Sequence, residues 1–443
     1  MGLCCRWWPL YEGSGKIIMI DLLLNKLKEH KEIFAYEIYN VQKDGRELFY
    51  VLNKLELNRA VKTKNISCNI YVRDGDKQGS SLINIVAFDD EKSIEEKIDK
   101  AILKAKTVMN AFFPLSNNQE NIENIKEDNL DLNEIALKVA NAVFKADVYE
   151  GGYLNSTEIF ITKTNNEFIN SSGIHHKTNN LKIMIEAIPS WTGEKEEVEL
   201  YEMYKSTVLD EEAITKRMNE VLLSSLNRSK AKTLKEVDLD LKVPVYVEGE
   251  MLELLVNNFK SETSYKSQFY NLSHYKKGDS ISNTPFDIIA YGGIEGLTDS
   301  LNYDEHGVVL SNKKIIEDGK VIDYYGDIQF GHYLKIENPS GTLPVCELIA
   351  KDKMLSQEKI KKEKHLLVPY FSSPQLDESS GYFGGEVRLA LYYDGEKYLP
   401  LTSLSISGNI YEAIKDVEFS KEIVSLNSYK GPKYMILKDL DIH

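Results

Sequence analysis

A metal-bound water, an imidazole base and an activated nucleophile are the common means of hydrolytic and group-transfer chemistry, so the histidines, cysteines and serines of this chain are the first residues to weigh. The histidines are His30, His175, His176, His274, His306, His332, His365 and His443. Two histidines four or five residues apart near one helix face, with a glutamate beside them, can hold zinc and activate its water. No pair here has that helical spacing. His175 and His176 are adjacent in a segment that reads as a hairpin, where neighbouring side chains point to opposite faces. Cys4, Cys5, Cys68 and Cys346 form no CxxC pair. Cys68 in a strand-like run and Cys346 in an apolar run read as packing residues, and a reducing cytoplasm is the expected setting. Ser407 stands before a helix whose amides could polarise it, but no histidine is near it in sequence, and a helix cap is the simpler reading. Neither a P-loop nor a dinucleotide-binding fingerprint occurs.

The 443 residues allow two or three domains, and 42% hydrophobic with 28% charged residues fits a globular protein. A formal charge of −15 argues against a chain whose main task is gripping DNA, which needs a clustered excess of Lys and Arg. No apolar run approaches the roughly 18 residues of a membrane span. Residues 1–18 look foreign to the rest of the chain and read as a mis-started leader, with Met19 as the natural first residue.

The elements that would position any site are set by hydrophobic period. A short amphipathic helix is expected at 20–32, then strands at 34–41, 47–52, 55–61, 66–72 and 81–88. Ser93 to Glu96 reads as a capping box, opening a helix with Ile94, Ile98, Ala101, Ile102, Ala105 and Met109 on one face. After an acidic linker at 115–130 come a helix at 133–148, strands at 158–164, 167–170, 181–188 and 198–204, and a helix at 210–226. The expected fold is α+β: an N-terminal domain over 19–235, mainly antiparallel sheet with helices on one face, and a β-rich, sandwich or barrel-like C-terminal domain over 236–443.

The richest segment is Tyr382 to Ile414. It offers a Gly384-Gly385 entry, a strand, an Asp394-Gly395 turn, a second strand, and Ser407-Gly408-Asn409 opening a helix. This pattern resembles the C-terminal region of the TldD/PmbA (TldE) family, known as modulators of DNA gyrase and as a two-subunit zinc peptidase that trims peptide precursors. The resemblance runs with gaps from about residue 20 to the C-terminus and is most specific over 167–190, 286–325 and 380–415. Asn170 to Ile174 is similar to the family's N-S-x-G turn and reads as a hairpin corner. Tyr303 to Gly307 resembles F-D-D-E-G, with Tyr303 and His306 departing from it. Val417 to Ser420 departs from the family's V-G-N-D turn.

Metal-bearing members of the family carry H-E-x-x-x-H on the helix after a Val-Pro-Val type strand. The corresponding segment, Glu248 to Phe259, has no histidine. Glu248, Glu250 and Glu253 read as the solvated face of a helix whose Met251, Leu254 and Leu255 pack inward. The resemblance therefore implies a metal-free, TldE/PmbA-like chain with no catalytic residue or metal of its own. Zinc would sit in a partner subunit, a metal-bearing TldD-like homologue, and the substrate would be an unfolded or leader peptide. Candidate residues for a peptide groove are Asp304, Glu305, Gly384, Gly385, Ser407, Gly408 and Asn409. Two other readings stand beside this one: a homodimeric peptide-binding protein, and an independent hydrolase with an unrecognised constellation. No nucleic-acid or membrane partner is expected.

Overall fold

Alternating polar and apolar residues call for sheet, and the computed structural model delivers strands much longer than the sequence suggests. The structure describes residues 15–443 apart from 118–119, 126–130, 194–196, 238, 240–241, 353 and 361. Most of the supposed leader, and much of the acidic linker, thus lie outside the described residues. The five strands expected over 34–88 are three: Ala35–Val51, Lys54–Asp74 and Lys77–Ile85. Lys62 to Asn65, which read as a break, stay extended with exposed side chains. A ladder satisfies the backbone whatever the side chain, so weak β-formers are tolerated on a solvent face. Likewise the two strands expected at 158–164 and 167–170 are one, Gly152–Asn170, followed by His175–Thr192.

The first sheet has nine strands in the order 110–111, 77–85, 54–74, 35–51, 152–170, 175–192 and 123–124, with 197–199 and 202–206 also pairing with 175–192. The chain forms two compact units, one of residues 1–42, 64–123 and 166–177, the other of 43–63, 124–165 and 178–443. The first unit buries Leu23 and Leu27 of helix α1 (Gly15–Glu29) and Ile94, Ile98, Ala101 and Ile102 of helix α2 (Glu91–Ala105) against Ile38, Ile70 and Ile83. The second packs helix α3 (Leu132–Phe144) and helix α4 (Glu211–Ser229) through Val139, Val143, Met218 and Val221 onto Ile159, Ile161, Ile183 and Ile185. The cap of α2 differs from the expected capping box. Asp90, not Ser93, is the N-cap and accepts from Ser93 N, while the Ser93 hydroxyl donates to Asp89. Two carboxylates just upstream outcompete a hydroxyl for the free amides, so the helix starts earlier.

The rest of the second unit is a curled, half-barrel arrangement of sheet, and the α+β class is as expected. One nine-stranded sheet runs 354–355, 418–420, 435–437, 245–247, 365–377, 382–393, 404–409 and 441–442, with 398–401 on 382–393. A six-stranded sheet runs 320–321, 313–317, 286–291, 345–350, 429–432 and 423–425. One core joins Val245, Val368, Phe383 and Ile406 of the first to Phe286, Ile288, Leu348 and Tyr429 of the second, and helix α5 (Gly249–Glu262) contributes five apolar residues to it.

Asp394-Gly395 forms the expected turn. Asp394 accepts from the amides of Glu396 and Lys397, both at 2.8 Å, and Gly395 has φ +106°. The return strand is split into Tyr398–Leu401 and Leu404–Asn409 around Ser403 at φ 55°. Asn170 makes the hairpin corner at 170–174. Its Oδ1 accepts from Ser172 N and Ile174 N, each at 3.0 Å, and its Nδ2 donates to Ser116 O at 2.8 Å. Gly173 beside it sits at φ +96°, which a side chain resists. Asn170→Ala leaves these buried groups unpaired and should lower stability by about 2–4 kcal/mol; urea unfolding of the variant against the parent measures it, and a loss within experimental error contradicts the assignment.

Candidate functional site

Helix α5 is the element that builds a site. Met251, Leu252, Leu255, Val256 and Phe259 are buried, Leu254 is only partly so, and Glu250 is the one exposed residue from Gly249 to Glu262. The solvated glutamate face expected from the sequence is therefore wrong for two of its three members. Glu253 is half-buried: its Oε1 accepts from Ser428 N at 2.6 Å and Ser428 Oγ at 2.5 Å, and its Oε2 from Asn427 Nδ2 at 3.3 Å. Glu248 is half-buried at the N-cap position and makes no capping bond. Burial pushes its carboxyl up to about 6 against the opposing pull of Lys433 and Arg217. The reason lies in packing, because α5 has sheet residues around most of its circumference and has little solvent to offer its polar side.

The polar residues of α5 open onto a cavity of about 340 Å³, lined by Asn257, Asn258, Lys260 and Ser261 with Asp299, Ser428 and Glu378. Leu254, Pro344 and Leu376 are its apolar walls. Asn257 Nδ2 donates to Ser428 Oγ at 2.8 Å, and Lys260 Nζ donates to Pro344 O at 2.5 Å. Burial holds the Lys260 ammonium below its ordinary value, although Asp299 and Glu253 act to raise it.

A second cluster secures the neighbouring hairpin tip. Buried Glu262 accepts from Tyr411 OH at 2.6 Å and from His274 N at 2.6 Å, and its Oε1 lies 2.9 Å from His274 Nδ1. Tyr411 OH also reaches Glu378 O at 2.9 Å, and His274 Nε2 lies 3.0 Å from Ser379 O. Gly381 has φ +73°, and a Cβ built on it would stand only 2.3 Å from Tyr411 Cδ2, so a side chain at this turn would strike the ring.

The residues singled out from sequence fall in two places. Gly384, Gly385, Ser407, Gly408 and Asn409 lie together, Gly384 pairing with Ser407, Phe383 with Gly408 and Tyr382 with Asn409. Gly384 pairs across its other edge with Gln375, the residue before the cavity wall Leu376. Ser407 is a strand residue receiving a bond from Tyr382 OH, and the cap is Asn409, which accepts from Tyr411 N; the expectation of a Ser407 cap is corrected. Gly384 and Gly408 let strands approach closely, since a Cβ on them would meet Ile406 O at 2.9 Å and Leu440 Cδ2 at 2.5 Å.

Asp304 and Glu305 instead lie in the connection between strands 286–291 and 313–317 of the six-stranded sheet. Glu305 is exposed. Asp304 is buried and accepts from His306 N and Val308 N at 3.0 Å and Thr342 N at 3.1 Å. Burial nevertheless raises its carboxyl to about 6. None of the seven lines the cavity. Of those that do, Asn257, Asn258 and Lys260 carried one usable signal in sequence, as polar residues interrupting a largely apolar helix, and Ser428 carried none.

The cavity does not suit zinc. It is lined by the carboxylates of Asp299 and Glu378 but by no imidazole or thiolate, its amides are neutral, and Lys260 adds a cation, whereas zinc sites are built mainly on imidazole and thiolate. Among the described residues no group of three or more His, Cys, Asp or Glu is placed to hold a metal ion.

Residues 241–443, which include α5 and both C-terminal sheets, match the PmbA/TldA metallopeptidase C-terminal domain. Residues 241–443 are thus a C-terminal domain of the TldD/PmbA type. No curated protein matches it by sequence. Three solved structures share its fold. A Thermotoga maritima protein named as a modulator of a DNA gyrase has 16% identity and a TM-score of 0.76, covering 96% of this chain and 99% of its own. TldE from Thermococcus kodakarensis has 16% identity and a TM-score of 0.74, covering 95% and 98%. A Bacteroides thetaiotaomicron protein, also named as a modulator of DNA gyrase, has 14% identity and a TM-score of 0.75, covering 95% and 97%. The matched region is thus metallopeptidase-like in fold, and its α5 carries the amides of Asn257 and Asn258 and no imidazole.

Glu248 makes that fold pH-sensitive. Its folded value of about 6 lies above its ordinary 4.5, so its contribution to stability is full below about 4.5 and is lost as pH rises through 6. Glu248→Gln, neutral at every pH, should be more stable than the parent by about 1–2 kcal/mol at pH 7.5, with that gain vanishing near pH 4.5. Denaturant melts of both proteins at the two pH values test this, and a pH-independent difference would refute it.

Proposed function

We propose that this chain is the non-catalytic, TldE/PmbA-like subunit of a two-subunit zinc metallopeptidase in the cytoplasm. It pairs with a metal-bearing TldD-like homologue, which supplies the zinc. It contributes chamber walls and strand edges that hold unfolded or leader peptides. The observation that carries this reading is the make-up of α5. On the helix where metal-bearing relatives are expected to place H-E-x-x-x-H, this chain turns Asn257, Asn258 and Lys260 toward a cavity, and its Glu253 carboxylate is taken up by hydrogen bonds from Ser428. Similarity of fold to TldE from Thermococcus kodakarensis supports it. Extended peptides can add to exposed sheet edges through main-chain hydrogen bonds, which suits a subunit that must accept many sequences.

Affinity purification of the tagged chain from native cells tests the pairing. The expected result is co-elution of an H-E-x-x-x-H homologue, with peptide cleavage by the pair at least tenfold above either chain alone and abolished by a chelator. Chelator-sensitive cleavage by the purified single chain, or co-purification free of any such homologue, would overturn the proposal.

A further inference from the structure

We infer that the free edge of strand Lys54–Asp74 is an interface for a second copy of this chain, paired antiparallel over residues 55–63 about Arg59. The inference stands apart from the subunit role proposed above, because it concerns the chain by itself. Strand Lys77–Ile85 accompanies Lys54–Asp74 only from Ile66 to Asp74. Among the described residues no other strand joins that side, so Lys54 to Thr63 keep an open row of backbone donors and acceptors beside their one neighbour, strand 35–51. Every residue from Lys54 to Thr63 except Val61 is exposed, which leaves both faces open to a strand laid alongside.

Such an edge is a template for another chain unless it is blunted. This one carries no proline, and Leu55 and Leu57 are 44% and 46% exposed along it. Its cations do not repel an incoming strand freely, since Lys54, Arg59 and Lys62 already face Glu56, Glu47 and Asp44 of their own chain.

The side chains select the second copy. Outward-pointing backbone groups alternate along a strand, so two identical edges related by a two-fold axis pair only residues of like parity. Centring on Asn58 would set Lys54 against Lys62 twice. Centring on Arg59 sets Glu56 against Lys62 twice and Leu57 against Val61 twice. Centring on Ala60 would replace the Leu57 to Val61 match with Leu57 to Thr63. The middle register alone joins opposite charges and apolar side chains directly across, and both kinds of pair stabilise a sheet. Its one like-charge encounter is Arg59 against its copy on the axis. That guanidinium is turned onto its own sheet, bonded to Glu47 and lying 5.4 Å from the centre of the Phe49 ring. Glu56 and Lys62 make only exposed pairs in their own chain, with Lys54 at 2.7 Å and Asp44 at 3.3 Å. Exposed pairs contribute little, so both groups can turn to a partner. A peptide of arbitrary sequence would satisfy the backbone and match neither pair.

Sedimentation velocity of the full chain tests the interface by charge exchange. The parent should dimerise reversibly. Glu56→Lys and Lys62→Glu each set like charges opposite and should weaken the dimer at least tenfold. The double exchange, Glu56→Lys with Lys62→Glu, should restore it to within about threefold of the parent, with circular dichroism confirming that each variant is folded. A measurement on the parent alone guards against variants that misfold: the amides of residues 55–63 should lose hydrogen-exchange protection on dilution from dimer to monomer. A parent that stays monomeric to about 100 μM, a dimer indifferent to both single changes, or a double exchange that fails to restore it overturns the interface. Protection of 55–63 that appears only with an added unfolded peptide, or only with the metal-bearing homologue, overturns it too and gives the edge to that occupant.

Discussion

The burial of helix α5 is the constraint on which the C-terminal architecture depends. Met251, Leu252, Leu255, Val256 and Phe259 enter one core shared by both C-terminal sheets. Each such side chain contributes about 1.5–3 kcal/mol when fully removed from water, so the helix cannot rotate to expose its polar residues. Those residues are consequently held wherever the packing leaves them. Glu253 is met by Ser428 and Asn427, Lys260 by the Pro344 carbonyl, and Glu262 by Tyr411 and His274. A buried carboxylate or ammonium without such partners would cost far more than the bonds themselves contribute.

The same constraint explains why the hairpin tip near Gly381 is well placed. Glu262 is the last residue of α5, and through Tyr411 and His274 it reaches the carbonyls of Glu378 and Ser379. The tip provides Glu378 to the cavity, and the strand leading into it provides Leu376. Sheet, helix and turn are tied at one point by a single carboxylate. The cavity is thus walled by the helix on one side and by a hairpin anchored to that helix on the other.

For the family, this arrangement separates fold from chemistry. A TM-score of 0.76 at 16% identity means that the backbone course is retained while most side chains differ. Chemistry belongs to the site, and two chains of one fold need not share it. In this chain the α5 cavity is lined by amide, hydroxyl, ammonium and carboxylate groups, and among the described residues no cluster of His, Cys, Asp or Glu is placed to hold a metal ion.

Much of the architecture was legible in the sequence for plain physical reasons. Period-two alternation announced the sheets, and period 3.6 placed Ile94, Ile98, Ala101 and Ile102 on the buried side of α2. Asp394-Gly395 and Asn170 to Gly173 declared their turns, because turn chemistry is local. The family was legible in the hairpin from Tyr382 to Ile414 for the same reason, being a run of local signals. Strand lengths were not, since Lys62 to Asn65 have exposed side chains and none of the apolar alternation that marks a strand, yet stay within the strand Lys54–Asp74. Nor was the site. Asn257 meets Ser428 from 171 positions away along the chain, and Glu253 meets the same serine from 175 away, so only the tertiary fold could bring them to one cavity. The sequence by itself determined which residue types α5 carries, and hence that it lacks imidazole. The packing of that helix between two sheets decided which of them face inward, because burial on nearly every side overrides the amphipathic pattern a surface helix would obey.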